Sequence, residues 1–161
     1  MNVLARVFLF VAGLAMSLAL AGAASAKGPI AATITGPGLV TPLRLSYMST
    51  ESRDTMGELT ADGNFFHQAF TAFNGGSPSK VRPAGALGLR YLVVYKMPGP
   101  SGNSYLRQSL YPFTKAGAVT FMAKGQRFWG SRRTRGGWSR GSQSLTDALV
   151  ESGLPAPASA D

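Results

Sequence analysis

The sequence predicts an α+β fold, a small antiparallel β-sheet domain with one or two short helices, following an N-terminal signal peptide. Three observations predict it. Residues 89–97 and 105–111 are strand-length runs rich in Leu, Val and Tyr, separated by the turn-forming Pro98, Gly99, Pro100, Ser101, Gly102 and Asn103, the pattern of an antiparallel hairpin with a longer loop. Helical periodicity is confined to two short stretches, near residues 66–73 and 145–152. Residues 7–24 carry no charge and end at a small-x-small site.

Arg6 is the one cationic side chain before the apolar run, and Ala24, Ser25 and Ala26 precede the charged Lys27. A charged lead, an apolar run and small residues at a cleavage site are the layout of a signal peptide, here residues 1–26. Retention as a membrane anchor is the alternative, because the run approaches the ~20 residues that span a bilayer. Residues 21–26 are mostly Ala, Gly and Ser, which makes a poor anchor. A lone arginine implies the general secretory route, and a chain without Cys is no lipoprotein. The expected product is secreted or otherwise extracytoplasmic, with no transmembrane segment after cleavage. A single globular domain spans residues 27–155, and residues 156–161 form a disordered tail.

Within the domain, residues 32–35 read as a short strand, followed by a bend at Gly36, Pro37 and Gly38. Residues 43–47 alternate Leu43, Leu45 and Tyr47 with Arg44 and Ser46, as a half-buried strand does. Residues 49–63 are polar and read as a surface loop with one or two helical turns; Thr55 and Glu58 make a weak capping-box match. Phe66, Ala69, Phe70 and Phe73 then fall on one helical face. Residues 74–83 are a loop. In residues 89–97, Tyr91, Val93, Tyr95 and Met97 point one way and Leu92 and Val94 the other, both faces apolar, which marks a central strand. Residues 105–111 form its partner, with Leu106 and Leu110 inward, and residues 118–123 are a third candidate. Residues 126–141, rich in Arg, Gly and aromatics, read as an irregular strand pair. A final helix starts at a Ser144–Asp147 box, sets Leu145, Ala148, Leu149 and Ser152 on one face, and stops at Gly153 and Pro155.

Several of these segments together resemble a group of small exported actinobacterial proteins that have no assigned function. They are residues 34–39 (ITGPGL), the strand from Arg90 and Tyr91 to Pro98 and Gly99, residues 108–113 (QSLYPF), residues 134–138 (TRGGW) and residues 145–155. The resemblance implies export and a high-GC Gram-positive source; it implies no activity.

Charge is the most distinctive property of the chain. Beyond residue 26 there are 15 Lys and Arg against 7 Asp and Glu, a net of +8. No acid occurs between Gly63 and Thr146, a stretch that holds 12 basic residues, among them Lys80, Arg82, Arg90, Lys96, Arg107 and Lys115. Most of these cannot be paired within the chain and must face water or an anionic partner. With no Cys, neither disulfides nor thiolate chemistry is available.

Catalytic signatures are weak. His67 is the only histidine, no nucleophile elbow exists, and His67 reads as a partly exposed helix or loop residue. Glu51, Asp54, Glu58 and Asp62 are spaced to share a helical face, which could be a carboxylate pair for hydrolysis or a cation patch. Like charges at that spacing repel and are ordinarily solvated. The expectation is therefore a non-catalytic protein with no cofactor and no metal site. The sharpest feature lies in residues 124–140: Lys124, Arg127, Arg132, Arg133, Arg135 and Arg140, interleaved with Phe128, Trp129 and Trp138. Arginine forks match phosphate and carboxylate, and tryptophan adds a stacking face. The expected function is contact with an anionic envelope partner, lipid or wall polymer, through this segment; nucleic acid is not expected to be the physiological partner. Two other readings are a small extracellular hydrolase using the acids near Glu58, and a secreted protein-binding module using residues 105–113.

Overall fold

The computed structural model describes residues 28–73 and 76–157. The signal peptide expected at residues 1–26 and most of the expected tail, residues 158–161, lie outside the described residues. The described residues form an antiparallel α+β domain, as expected. Its six-stranded sheet contains β1 (Ala31–Thr35), β2 (Leu43–Ser46), β3 (Tyr91–Gly99), β4 (Gly102–Tyr111), β5 (Val119–Met122) and β8 (Gly137–Arg140), in the order β2-β1-β3-β4-β5-β8. β6 (Arg127–Phe128) and β7 (Arg132–Arg133) form a separate two-stranded hairpin. The helices are α1 (Arg53–Ala61), α2 (Phe65–Ala69) and α3 (Gln143–Glu151). No helix among the described residues is long and apolar enough to cross a membrane.

Alternation decides the two faces of the sheet. Tyr91, Val93, Tyr95 and Met97 of β3 are fully buried, as are Leu106 and Leu110 of β4. They share one core with Met56 and Leu59 of α1, Phe65 of α2, and Leu145 and Leu149 of α3. β3 is central, as its doubly apolar pattern predicts: Leu92 and Val94 on its other face are half-buried.

Several local expectations are corrected. Residues 53–61 form a nine-residue helix where a surface loop with one or two helical turns is expected, because Met56 and Leu59, three apart, are both buried in the core. The acids around them obscure that short apolar stripe in the sequence. The cap of α1 is Ser52 rather than Thr55, and the cap of α3 is Ser142, whose hydroxyl accepts from the Leu145 N–H at 3.4 Å, two residues before the expected box. The β3–β4 connection is tight: Gly99 pairs with Gly102, so only Pro100 and Ser101 turn the chain. Gly153, with φ +105°, ends α3 where expected. The helix expected around Phe66 is only one turn and a half, since Phe70 is already extended. Phe65, rather than Phe66, is its fully buried ring.

A buried polar chain ties the layers together. The Tyr95 hydroxyl donates to Gln108 Oε1 at 2.7 Å. Gln108 Nε2 donates to Gln68 Oε1 at 2.6 Å and to the Gly63 carbonyl at 2.9 Å. Gln68 Nε2 in turn reaches Thr120 Oγ1 and the Gly137 carbonyl, each at 3.1 Å, and the Gly136 N–H donates to the Gln68 carbonyl at 2.8 Å. Gln68 thereby joins α2 to β5 and fixes the entry into β8.

Candidate anion-binding surfaces

The basic segment at residues 124–140 leaves the sheet after β5, turns out as the β6–β7 hairpin and returns as β8, so its charges separate into two groups. Lys124, Arg127, Arg132 and Arg133 are exposed on or beside the hairpin. Arg127 and Arg133 are direct cross-strand partners. Trp129 occupies the hairpin turn with φ +47°, a left-handed backbone rare for a bulky residue. Its strain is offset by anchoring: the indole N–H donates to the Pro98 carbonyl at 2.9 Å, and its ring packs against Phe70 and Phe128 at 5.6 and 5.4 Å between centroids. The Arg132 guanidinium lies 5.8 Å from the centroid of the same ring. Trp129 is thus half-buried and pins the hairpin to the β3–β4 turn.

Trp138 and Arg140 are elsewhere, on β8. Arg135 precedes that strand, half-buried, and donates to the Ser77 hydroxyl. The two tryptophans expected to act together therefore serve different surfaces. Gly136 permits the return into β8: its φ is +72°, and a Cβ there would collide with the backbone of Lys124.

The register of the sheet assembles a second cationic surface, on the face away from the helices. Leu92, Ser109, Phe121 and Trp138 face one another in a single row across β3, β4, β5 and β8. Trp138 packs against Phe121 at 4.6 Å and Tyr111 at 6.1 Å between centroids, with interplanar angles of 36° and 30°. Around this floor stand Arg82, Arg90 and Arg107, lining a cleft of about 610 Å³ that holds no carboxylate. On the other side of Trp138 a cleft of about 520 Å³ is lined by Arg82, Arg140, His67 and Asn64, again with no carboxylate. The indole of Trp138 and the Arg82 side chain are common to both.

The supports of this face are specific. Gln126 accepts the Arg107 N–H and donates to the Arg107 carbonyl, each at 2.7 Å, substituting for a strand neighbour just past the end of β5. The Trp138 N–H and carbonyl are both bonded to Ser79, at 2.7 and 2.8 Å, so residues around Ser79 cover the edge of β8. Reasoning along the chain names Arg82, Arg90 and Arg107 only as unpaired cations. Tyr105, Arg107, Ser109 and Tyr111 alternate onto one face of β4, but the juxtaposition with Trp138, 27 to 33 positions on, depends on strand order.

The acids do not converge. Glu51 lies by Glu151 and Arg44 at the far edge of the molecule, while the Asp62 carboxylate accepts from Ser142 and from Ser144, at the start of α3. Asp54 is exposed on α1 and Glu58 is half-buried. His67 is half-buried with its ring 4.9 Å from that of Phe73, edge to face. Among the described residues no group of three or more His, Cys, Asp or Glu could hold a metal ion. Of residues 105–113, Tyr105 is 56 % exposed, while Leu106, Gln108 and Leu110 point into the core. No family model matches the chain, and neither does any curated protein or solved structure.

Proposed function

We propose that this is a non-catalytic, extracytoplasmic protein that contacts an anionic partner of the cell envelope through its β6–β7 hairpin. The observation that carries the reading is the direct pairing of Arg127 with Arg133, both exposed, beside Arg132 and Lys124. Like charges facing each other across two strands destabilise the pair. The Arg133 guanidinium donates to the Gly125 carbonyl at 3.2 Å and Thr134 bonds Gly125 and Gln126 through the backbone, which holds the strands together against that repulsion, and a phosphate or carboxylate beside the two arginines would relieve it. Outside the cytoplasm such groups are presented by anionic lipid head groups and acidic wall polymers.

The purified protein is expected to bind vesicles containing anionic lipid, or acidic wall polymer, at low salt and to release them as salt rises, since screening shortens the reach of these charges to roughly 8 Å at physiological ionic strength. Arg127→Ser with Arg133→Ser is expected to weaken that binding without loss of the cooperative melt. Salt-independent binding, or wild-type binding by the double variant, would overturn the assignment. Export is tested separately, by N-terminal sequencing of the secreted form: the expected first residue is Lys27, and a protein that still begins at Met1 would refute cleavage.

A further inference from the structure

We propose that the open face of the sheet is a second binding site, for an acidic saccharide: sugar rings bearing carboxylate or phosphate, with one ring laid on Trp138 and its charges in the forks of Arg82, Arg90 and Arg107. It uses different residues from the hairpin of the proposed function, and its ligand is one chemical class among the anionic partners considered there.

Charge and shape argue together. Three arginines line one cleft without a carboxylate in its lining, and Arg82 continues the positive charge past Trp138 towards Arg140. Cations brought together without counter-charges in a concave site attract an anion and orient it through paired N–H donors. The clefts, about 610 and 520 Å³, are within the ordinary range for small-ligand sites. Trp138 and Arg82 line both clefts, so a ligand of at least two sugars can engage the two together.

The site is also held in advance. Gln126 clamps both backbone groups of Arg107, Ser79 clamps both backbone groups of Trp138, and Phe121 and Tyr111 back the indole. Such preparation reduces the ordering cost of binding. The aromatic arrangement favours sugar over nucleic acid. Strands of nucleic acid are read by several separate rings on which successive bases stack. Here Tyr111 and Phe121 both pack on Trp138, so the rings form one cluster centred on the indole rather than a row of separate stacking sites. Ser109, half-buried in the row between Leu92 and Phe121, places a hydroxyl on the floor for a sugar hydroxyl.

Isothermal titration of the purified protein with four probes tests this: an oligogalacturonate, its methyl ester, a phosphorylated oligomannoside and oligo(dT). Binding of either acidic sugar but not of the ester is expected, and which acidic sugar binds distinguishes carboxylate from phosphate. Arg90→Ser with Arg107→Ser should weaken it by about tenfold or more, as loss of charge-assisted hydrogen bonds does. Arg107→Lys, which keeps the charge and loses the fork, should fall between. Trp138→Tyr, which keeps an aromatic ring, should bind better than Trp138→Leu, each variant being checked by its thermal melt. Arg44→Ser, on β2 at the opposite end of the sheet from β8, should leave saccharide binding within about twofold, because it lies away from this face. If the hairpin variant, Arg127→Ser with Arg133→Ser, loses binding and the sheet-face variant does not, the hairpin reading stands and this site falls. If the ester binds as well as the acid, or oligo(dT) binds more tightly than either acidic sugar, the saccharide assignment is wrong. Binding of vesicles through the hairpin with no binding of any sugar would likewise overturn this site alone.

Discussion

The hydroxyl of Tyr95 donates to Oε1 of Gln108 at 2.7 Å in the fully buried centre of the domain, while the hydroxyl of Tyr91, four residues earlier on the same face of β3, is buried without a partner. Two tyrosines of one strand, equally buried, thus have opposite polar consequences. Tyr95→Phe leaves Gln108 Oε1 short of a donor and is expected to cost about 1–3 kcal/mol. Tyr91→Phe removes an unsatisfied group and is expected to be neutral or stabilising by up to about 1 kcal/mol. Urea unfolding of the two variants checks this; equal losses would mean that ring packing alone matters at both positions.

Burial raises the Tyr95 phenol well above its ordinary 10.0, with the nearby Tyr47 a second cause, and burial raises Tyr91 as well. The sign follows directly. In the unfolded chain both ionise near the ordinary value, while the folded state holds the proton, so it binds more protons at alkaline pH and stability falls as pH rises. The contribution is fully present below about pH 10 and is lost progressively from there towards the folded values. A pH series of thermal melts should show an alkaline limb that is shallower in Tyr95→Phe; an unchanged limb would exclude Tyr95 as its source.

A methyl group at Gly99 would come within 2.5 Å of Cδ1 of Trp129, on the ring whose N–H is held by Pro98. Gly99→Ala should therefore displace the indole and cost about 1–3 kcal/mol, as overpacking does. Combined with Trp129→Ala, its additional cost should nearly vanish, since the clashing ring is gone. Additive losses in the double-mutant cycle would show that the turn itself, rather than Trp129, requires glycine.

Val93 is fully buried at the middle of β3, paired with Ile34 on β1 and Gln108 on β4. Val93→Asp places an unpaired carboxylate there at a cost of several kcal/mol, comparable with the ~5–15 kcal/mol stability of a whole domain. Loss of the cooperative melt is expected; a melt like that of the wild type would refute this placement of the strand.

The sequence alone determined the periodic parts of this protein. The inward set Tyr91, Val93, Tyr95, Leu106 and Leu110, the central position of β3 and the stop of α3 at Gly153 all follow from alternation, helical spacing and glycine, properties expressed within a few residues. Helix α1 was hidden because its burial rests on Met56 and Leu59 among charged neighbours, and a short stripe of that kind becomes visible only against the sheet that covers it. The cationic residues were visible as a composition, but their grouping was not. Tertiary structure sent Trp129 to the β3–β4 turn and Trp138 to the open face, because residues 123–136 leave the sheet and return. It also brought Arg82, Arg90 and Arg107 around Phe121 and Trp138. That surface is set by strand order and register, which depend on long-range pairing, and no local pattern of residues encodes which strand will lie beside which.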